Sequence, residues 1–265
     1  MTLGKLIITG AGAAPGVPSL ACGFGNCDAK NPKNIRRRSG TYLELSGVKL
    51  LIDTSPDLRL QLIDNKITAV DAVFYTHTHA DHLHGIDDLR EVNRISGKAI
   101  DIFASKGNMA VIKSRFPYLI AEEGAEINPV YRAALRPNVF EYEQSFYFKG
   151  LKVTPVRLIG HNVESSGYIF NDGEVVIISD FREIPESAFA FIKKTPEVLV
   201  MPLTTLHGTR FHAGFEDLLS YAERLDAKKT IITHMAVECD YADVYARCPR
   251  GMEPGYDGMV LEIKG

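Results

Sequence analysis

The segment Thr76-His77-Thr78-His79-Ala80-Asp81-His82 sets three imidazoles and a carboxylate within six residues, directly after the apolar run Ala72-Val73-Phe74-Tyr75. The chain has eight histidines in 265 residues, three of them here, with His84 two positions further on. An apolar run that stops and opens into His-x-His-x-Asp-His reads as a buried strand delivering a loop of ligands. Crowded imidazoles and carboxylates need desolvating, and a bound cation is the natural partner for them. Solvation of a surface loop does not select that alternation.

The rest of the chain predicts mixed strands and helices. Strands are expected at Lys5–Thr9, Ala72–Tyr75, Ile100–Ala104, Val198–Met201, Thr230–Thr233 and Met259–Ile263. Hairpins are expected at Thr41–Leu45 with Lys49–Asp53, at Ser145–Phe148 with Leu151–Val156, and at Gly167–Phe170 with Glu174–Ser179. The last of these turns at Asn171-Asp172-Gly173. Helical patterns cover Asp57–Ile63, Gly85–Ile95, Asn108–Phe116, Pro185–Lys193 and Phe215–Leu225, and Pro117–Pro137 reads as irregular. Hairpins followed by alternating strands and helices, twice over, predict two mixed sheets packed face to face with helices outside: an α/β, four-layer αββα sandwich forming one domain over residues 1–265.

Strand ends are where such a fold places ligands. Asp53, His161, Asp180 and His234 each follow an apolar strand or the short loop after one. Taken singly, such a residue is more often a cap or a hydrogen-bonding group. Four of them beside the histidine loop make a joint structural explanation improbable.

Composition bounds the function. Forty-five per cent hydrophobic and 24% charged residues are ordinary for a globular chain, and a net charge of −3 argues against a broad nucleic-acid-binding face. No apolar run approaches the ~20 residues of a membrane span, and the first ten residues read as a strand rather than a signal peptide, so a reducing cytoplasm is expected. Of four cysteines, Cys22 and Cys27 have the spacing of half a zinc knuckle, but two free thiols in a glycine loop fit as well. Arg36-Arg37-Arg38 is either a solvated basic run or a phosphate-facing one.

These residues resemble those of the metallo-β-lactamase superfamily of metal-dependent hydrolases, over nearly the whole chain. Within it the sequence is most similar to the PhnP-type phosphodiesterases, through Gly16-Val17-Pro18 followed by Cys22 and Cys27, the stretch Arg36–Gly40, and Gly255-Tyr256-Asp257-Gly258-Met259. The resemblance implies two divalent metal ions, Zn2+ or Mn2+. His77, His79 and His161 would hold one, Asp81, His82 and His234 the other, and Asp180 would bridge them. Asp53 would orient the loop without touching metal. Paired cations ~4 Å apart lower the pKa of water toward 7, which suits hydrolysis at neutral pH.

Asp81 thus counts among the catalytic residues, and the resemblance places a catalytic histidine in the loop after Val198–Met201, where His207 and His212 both lie. His207 is preferred as the general acid. His212 would instead join Cys22 and Cys27 around a structural metal, although Phe24 stands at the fourth position. The implied substrate is a small cyclic ribose phosphate or nucleotide-like phosphodiester, with no extended nucleic-acid surface, no membrane partner, and a homodimer left open. Thioesterase or lactonase activity on the same site is the near alternative. An iron-dependent oxidoreductase and a non-catalytic metal-binding module are alternatives of other classes.

Overall fold

The computed structural model describes residues 2–121 and 133–264. Two seven-stranded sheets carry the chain. In spatial order the first is Met259–Lys264, Thr2–Gly10, Gly40–Leu45, Val48–Ile52, Ala72–Phe74, Ile100–Ser105 and Leu135–Phe140. The second is Met252–Pro254, Thr230–Thr233, Val198–Pro202, Val175–Ile177, Ser165–Phe170, Leu151–Leu158 and Phe146–Phe148. Each sheet has an antiparallel half and a parallel half. Val48–Ile52 through Leu135–Phe140 run parallel in the first, and Val175–Ile177 through Met252–Pro254 in the second.

Strand alternation builds the layers. Leu50, Ile52 and Phe74 point inward from the first sheet and meet Tyr168, Phe170, Val175, Ile177 and Val200 of the second. Their neighbours Leu51 and Val73 point outward and pack on Leu58 and Leu62 of helix Leu58–Asp64, Leu89 and Val92 of helix Leu89–Ser96, and Met109 and Ile112 of helix Lys106–Arg115. Val176, Leu199 and Met201 do the same against Phe215 and Leu218 of helix Phe215–Leu225 and Val244 of helix Tyr241–Arg247. These are the four layers expected from the sequence. Among the described residues no helix is long and apolar enough to cross a membrane.

Several local expectations need correction. Leu135–Phe140 is a strand through Pro137, where an irregular segment was expected up to that residue; residues 122–132 of that segment lie outside the described residues. Helix Pro185–Lys193 shrinks to Glu186–Phe189, and the Gly85–Ile95 helix is a 3-10 turn Ile86–Asp88 followed by Leu89–Ser96.

Candidate metal centre

The parallel strands of both sheets end on one side, and their C-terminal ends supply the site, as is general for open α/β sheets. Asp53 follows Val48–Ile52, the His77–His82 segment follows Ala72–Phe74, Asp180 follows Val175–Ile177, and His234 follows Thr230–Thr233. His161 comes from the loop after Leu151–Leu158. Asp53 and His234 sit at φ of 65° and 57°, sparsely populated values for residues with a Cβ. Such conformations persist where the surroundings over-determine them, and they gather at functional sites.

Two groups of side chains converge. One atom each from His77, His79, His161 and Asp180 lies within 4.8 Å of every other, and so does one each from Asp81, His82 and His234. Asp180 Oδ2 joins the groups: it is 3.4 Å from His234 Nε2, 3.8 Å from His82 Nε2, 3.9 Å from His77 Nε2 and 4.0 Å from His161 Nε2. Asp81 Oδ2 is 3.3 Å from both His82 Nε2 and His234 Nε2.

Hydrogen bonds behind the imidazoles turn their lone pairs inward. Asp53 accepts from Thr76 N and, through Oδ2, from Thr76 Oγ1 and His82 Nδ1, all at 2.7 Å. With its own proton on Asp53, Thr76 Oγ1 accepts from His77 Nδ1 at 3.0 Å and from Ser179 Oγ at 2.9 Å. His161 Nδ1 points at Phe211 O, 3.4 Å away, and His234 Nδ1 at Thr204 Oγ1, 3.1 Å away. In His77, His82 and His161 the Nδ1 atom therefore carries a proton and Nε2 faces the cluster, while the His234–Thr204 contact can run in either direction.

This donor set fits metal ions. His79 Nδ1 lies 3.1 Å from His77 Nε2 and 3.2 Å from His161 Nε2. His79 can give a proton to only one of these, so without a cation at least one of the two Nε2 lone pairs is left without a proton to accept from it. His82 Nε2 and Asp180 Oδ1 are buried without a hydrogen-bond partner, an arrangement native proteins rarely keep unless an ion or water completes it. Burial and the surrounding imidazoles hold His77 well below its ordinary pKa, and burial pushes His161 down to about 4. For His82, by contrast, burial is outweighed by the Asp53 and Asp81 carboxylates, which raise its pKa, so a cation there would displace a proton. Burial acts against the Asp81 and Asp180 charges, but neighbouring histidines outweigh it and both carboxyls fall below the usual range. Neutral imidazoles and ionised carboxylates are the states that divalent cations take.

Other expected site residues lie elsewhere. His207 is exposed, and no hydrogen bond ties it to the cluster. His212, from the same loop, stands beside it instead: its ring centroid is 5.0 Å from that of His161 and 6.2 Å from that of His234. Of the two histidines on this loop, His212 rather than the preferred His207 is the one that lies at the cluster. The structural metal expected from Cys22, Cys27 and His212 is not assembled either. Cys22 is exposed, Cys27 is buried, and among the described residues no metal-capable cluster unites them with His212.

A buried guanidinium occupies the Cys27 site. Arg36 gives Nη2 to Cys27 Sγ at 3.1 Å and to Ala236 O at 3.2 Å, and Nη1 to Cys239 O at 2.9 Å. Arg37 pairs with Asp64, and Arg38 holds Asp57 through two nitrogens at 2.7 and 2.8 Å. Arg36 is thus committed to internal partners, while Arg37 and Arg38 form partly exposed ion pairs. His84 is exposed and packs edge-on against Phe116. Thr204, which touches two histidines of the site, escaped the sequence reading. Its signal was its place just past Val198–Pro202, equivalent to that of Asp180 past Val175–Ile177.

Residues 49–235 match the model of the Beta-lactamase superfamily domain. The fold is similar to the crystal structure of a new diphosphatase from the PhnP family, with 28% identity, a TM-score of 0.85, and 98% of this chain and 96% of that one covered. It is also similar to Zn(2+)-bound PqqB from Methylobacterium extorquens, with 20% identity, a TM-score of 0.75, and 97% and 99% covered. Among curated proteins, the chain is 23% identical to the Octanoyltransferase of Porphyromonas gingivalis over 98% of its own length and 52% of the relative's. It therefore spans about half the length of that protein.

Proposed function

The chain belongs to the beta-lactamase superfamily, as a metal-dependent hydrolase of that fold, and from this premise we propose that it hydrolyses a small phosphodiester, either a cyclic ribose phosphate or a nucleotide-like diester. The observation that carries the phosphorus centre is the likeness, over nearly the full length of both chains, to a PhnP-family diphosphatase. The arrangement of ligands alone does not distinguish ester classes.

In this reading His77, His79 and His161 would hold one divalent cation and Asp81, His82 and His234 a second, and Asp180, whose Oδ2 is within 4.0 Å of nitrogens of both groups, would serve either. When bound, such cations polarise phosphoryl oxygens and make water acidic enough to ionise near neutral pH. The protein's own residues do the rest. Asp53 fixes the His82 ring and the backbone of the histidine loop through Thr76. His212, beside the cluster and without a hydrogen bond to its Nε2 among the described residues, gives a proton to the departing alkoxide.

A thioesterase reading keeps the same metals, and one observation favours it: nearly the whole chain matches part of a protein named for octanoyl transfer. A thiolate leaves without protonation, so His212 would matter little there. The deciding experiment is turnover of a matched panel with zinc and with manganese: cyclic ribose phosphates, linear nucleotide diesters, a nucleoside diphosphate, acyl thioesters and lactones. We expect the highest kcat/KM on a phosphodiester. A thioester or lactone turned over faster than every phosphorus ester would end the proposal.

A further inference from the structure

Thr204 Oγ1 lies 3.1 Å from His234 Nδ1 and 3.2 Å from His212 Nδ1. One hydroxyl therefore joins an imidazole of the metal cluster to the imidazole beside it. A threonine hydroxyl has one proton to give and two lone pairs to accept with. His234 Nε2 faces Asp81 Oδ2 at 3.3 Å and Asp180 Oδ2 at 3.4 Å, where it would offer its lone pair to an ion. Its proton is then on Nδ1 and goes to Thr204. The Thr204 proton has His212 Nδ1 as its acceptor. Were His212 to donate from Nδ1 as well, Thr204 would receive two protons, and its own would have no partner among the described residues.

We propose that Thr204 is a positioning residue that sets the tautomer of His212: His234 Nδ1–H donates to Thr204 Oγ1, Thr204 donates to His212 Nδ1, and His212 is left with its proton on Nε2, the ring nitrogen free to meet a leaving group. The proposal rests on the reading of His212 as proton donor and adds the group that prepares it. His212 is neutral in this arrangement, so a proton given from Nε2 is replaced at Nδ1 by the Thr204 proton, and that one by the proton on His234 Nδ1, which solvent then restores. The logic is that of any acid–base histidine oriented by a third group, where the wrong tautomer costs most of the rate even with geometry intact.

The test compares Thr204→Ser and Thr204→Val in the zinc-loaded protein with 15N-labelled histidine. Long-range 1H–15N correlation spectra distinguish the two neutral tautomers, with His212→Gln identifying its signals. The wild type and Thr204→Ser should show His212 protonated at Nε2, and Thr204→Val should show Nδ1–H or a mixture. In parallel, at saturating zinc and with metal content checked, Thr204→Val should lower kcat about 10- to 100-fold on an alkyl phosphodiester, with a much smaller loss on bis(p-nitrophenyl) phosphate. Thr204→Ser should restore both rates. Nδ1–H at His212 in the wild type, or an unchanged His212 signature in Thr204→Val, overturns the relay. The spectra decide this whether or not a phosphodiester is the substrate, so a panel that favoured thioesters would remove the functional reading and leave the relay standing.

Discussion

Arg36 Nη2 donates to Cys27 Sγ across 3.1 Å, deep beside the loop that follows His234. A fixed internal cation thus lies where a knuckle of thiols would have needed a metal. The guanidinium also ties down Cys239 O and Ala236 O, so it fixes the course of the chain just past a residue of the metal cluster. Removing a buried, hydrogen-bonded charge leaves its partners unsatisfied and costs on the order of 3–5 kcal/mol. We expect Arg36→Ala to lose that much in urea unfolding, with no recovery on adding zinc. Cys22→Ser should change neither the melting temperature nor the metal content, because Cys22 is exposed. A drop in bound zinc in Cys22→Ser would restore the structural metal.

Asp180 and Asp53 make separable predictions. Asp180→Ala removes a carboxylate oxygen that lies within 4.0 Å of nitrogens in both groups of ligands. It should abolish hydrolysis and at least one ion, with far-UV circular dichroism unchanged. Asp53 is not within the converging groups, but its carboxylate accepts from His82 Nδ1 and from Thr76. Asp53→Asn should weaken metal affinity about 10- to 100-fold and leave full activity recoverable at high metal. Full activity of Asp180→Ala at limiting metal would exclude a bridging role.

His212 and His207 are five residues apart on one loop, and only one is at the site. His212→Ala should slow alkyl phosphodiesters by about 10²- to 10⁴-fold and activated aryl diesters far less. His207→Ala should cost under about threefold on both, as an exposed side chain without catalytic contacts. A steady-state comparison with both substrates checks this. Equal losses for the two leaving groups in His212→Ala would argue against a proton-donor role.

Much of this was legible before any coordinates. The strands that carry Asp53, the histidine loop, Asp180 and His234 are continuous apolar runs that stop at or just before a His or Asp, so their existence and their termini follow from the runs alone. The two strands that escaped, Leu135–Phe140 and Met252–Pro254, are both sheet edges and both contain proline. Proline withholds a ladder donor and is tolerated at an edge, but in a sequence it argues against a strand. The helix Tyr241–Arg247 escaped too. Its start is fixed by Asp240, which caps Ala242 and Asp243 with one oxygen and Asp28 with the other. That second contact spans 212 residues, and no local pattern encodes it. The different placing of His207 and His212 was hidden for the same reason, since two histidines on one loop differ only in what the folded chain sets beside them. A run of three arginines says nothing of whether each faces water, a carboxylate or a buried thiol.

Asp257 supplies the pH dependence. Its carboxylate accepts Ala11 N at 2.9 Å and Arg37 N at 2.8 Å, joining the first strand's end to the arginine run. Burial raises its pKa to about 6, partly offset by those two N–H groups. An unfolded aspartate titrates near ~3.9, so between that value and about 6 the folded protein binds more protons than the unfolded one. Stability from this group is therefore complete below about pH 4 and is lost as pH rises through the folded value. The full swing is at most ~3 kcal/mol, less where water screens the site. Asp257→Asn removes the titration but leaves one N–H facing an amide nitrogen, a cost that does not vary with pH. The stability of the variant relative to wild type should then improve between about pH 4 and 6 and level off above 7, in urea unfolding of both proteins with chelator present. A difference independent of pH, or one that worsens as pH rises, would mean that Asp257 is ionised throughout that range.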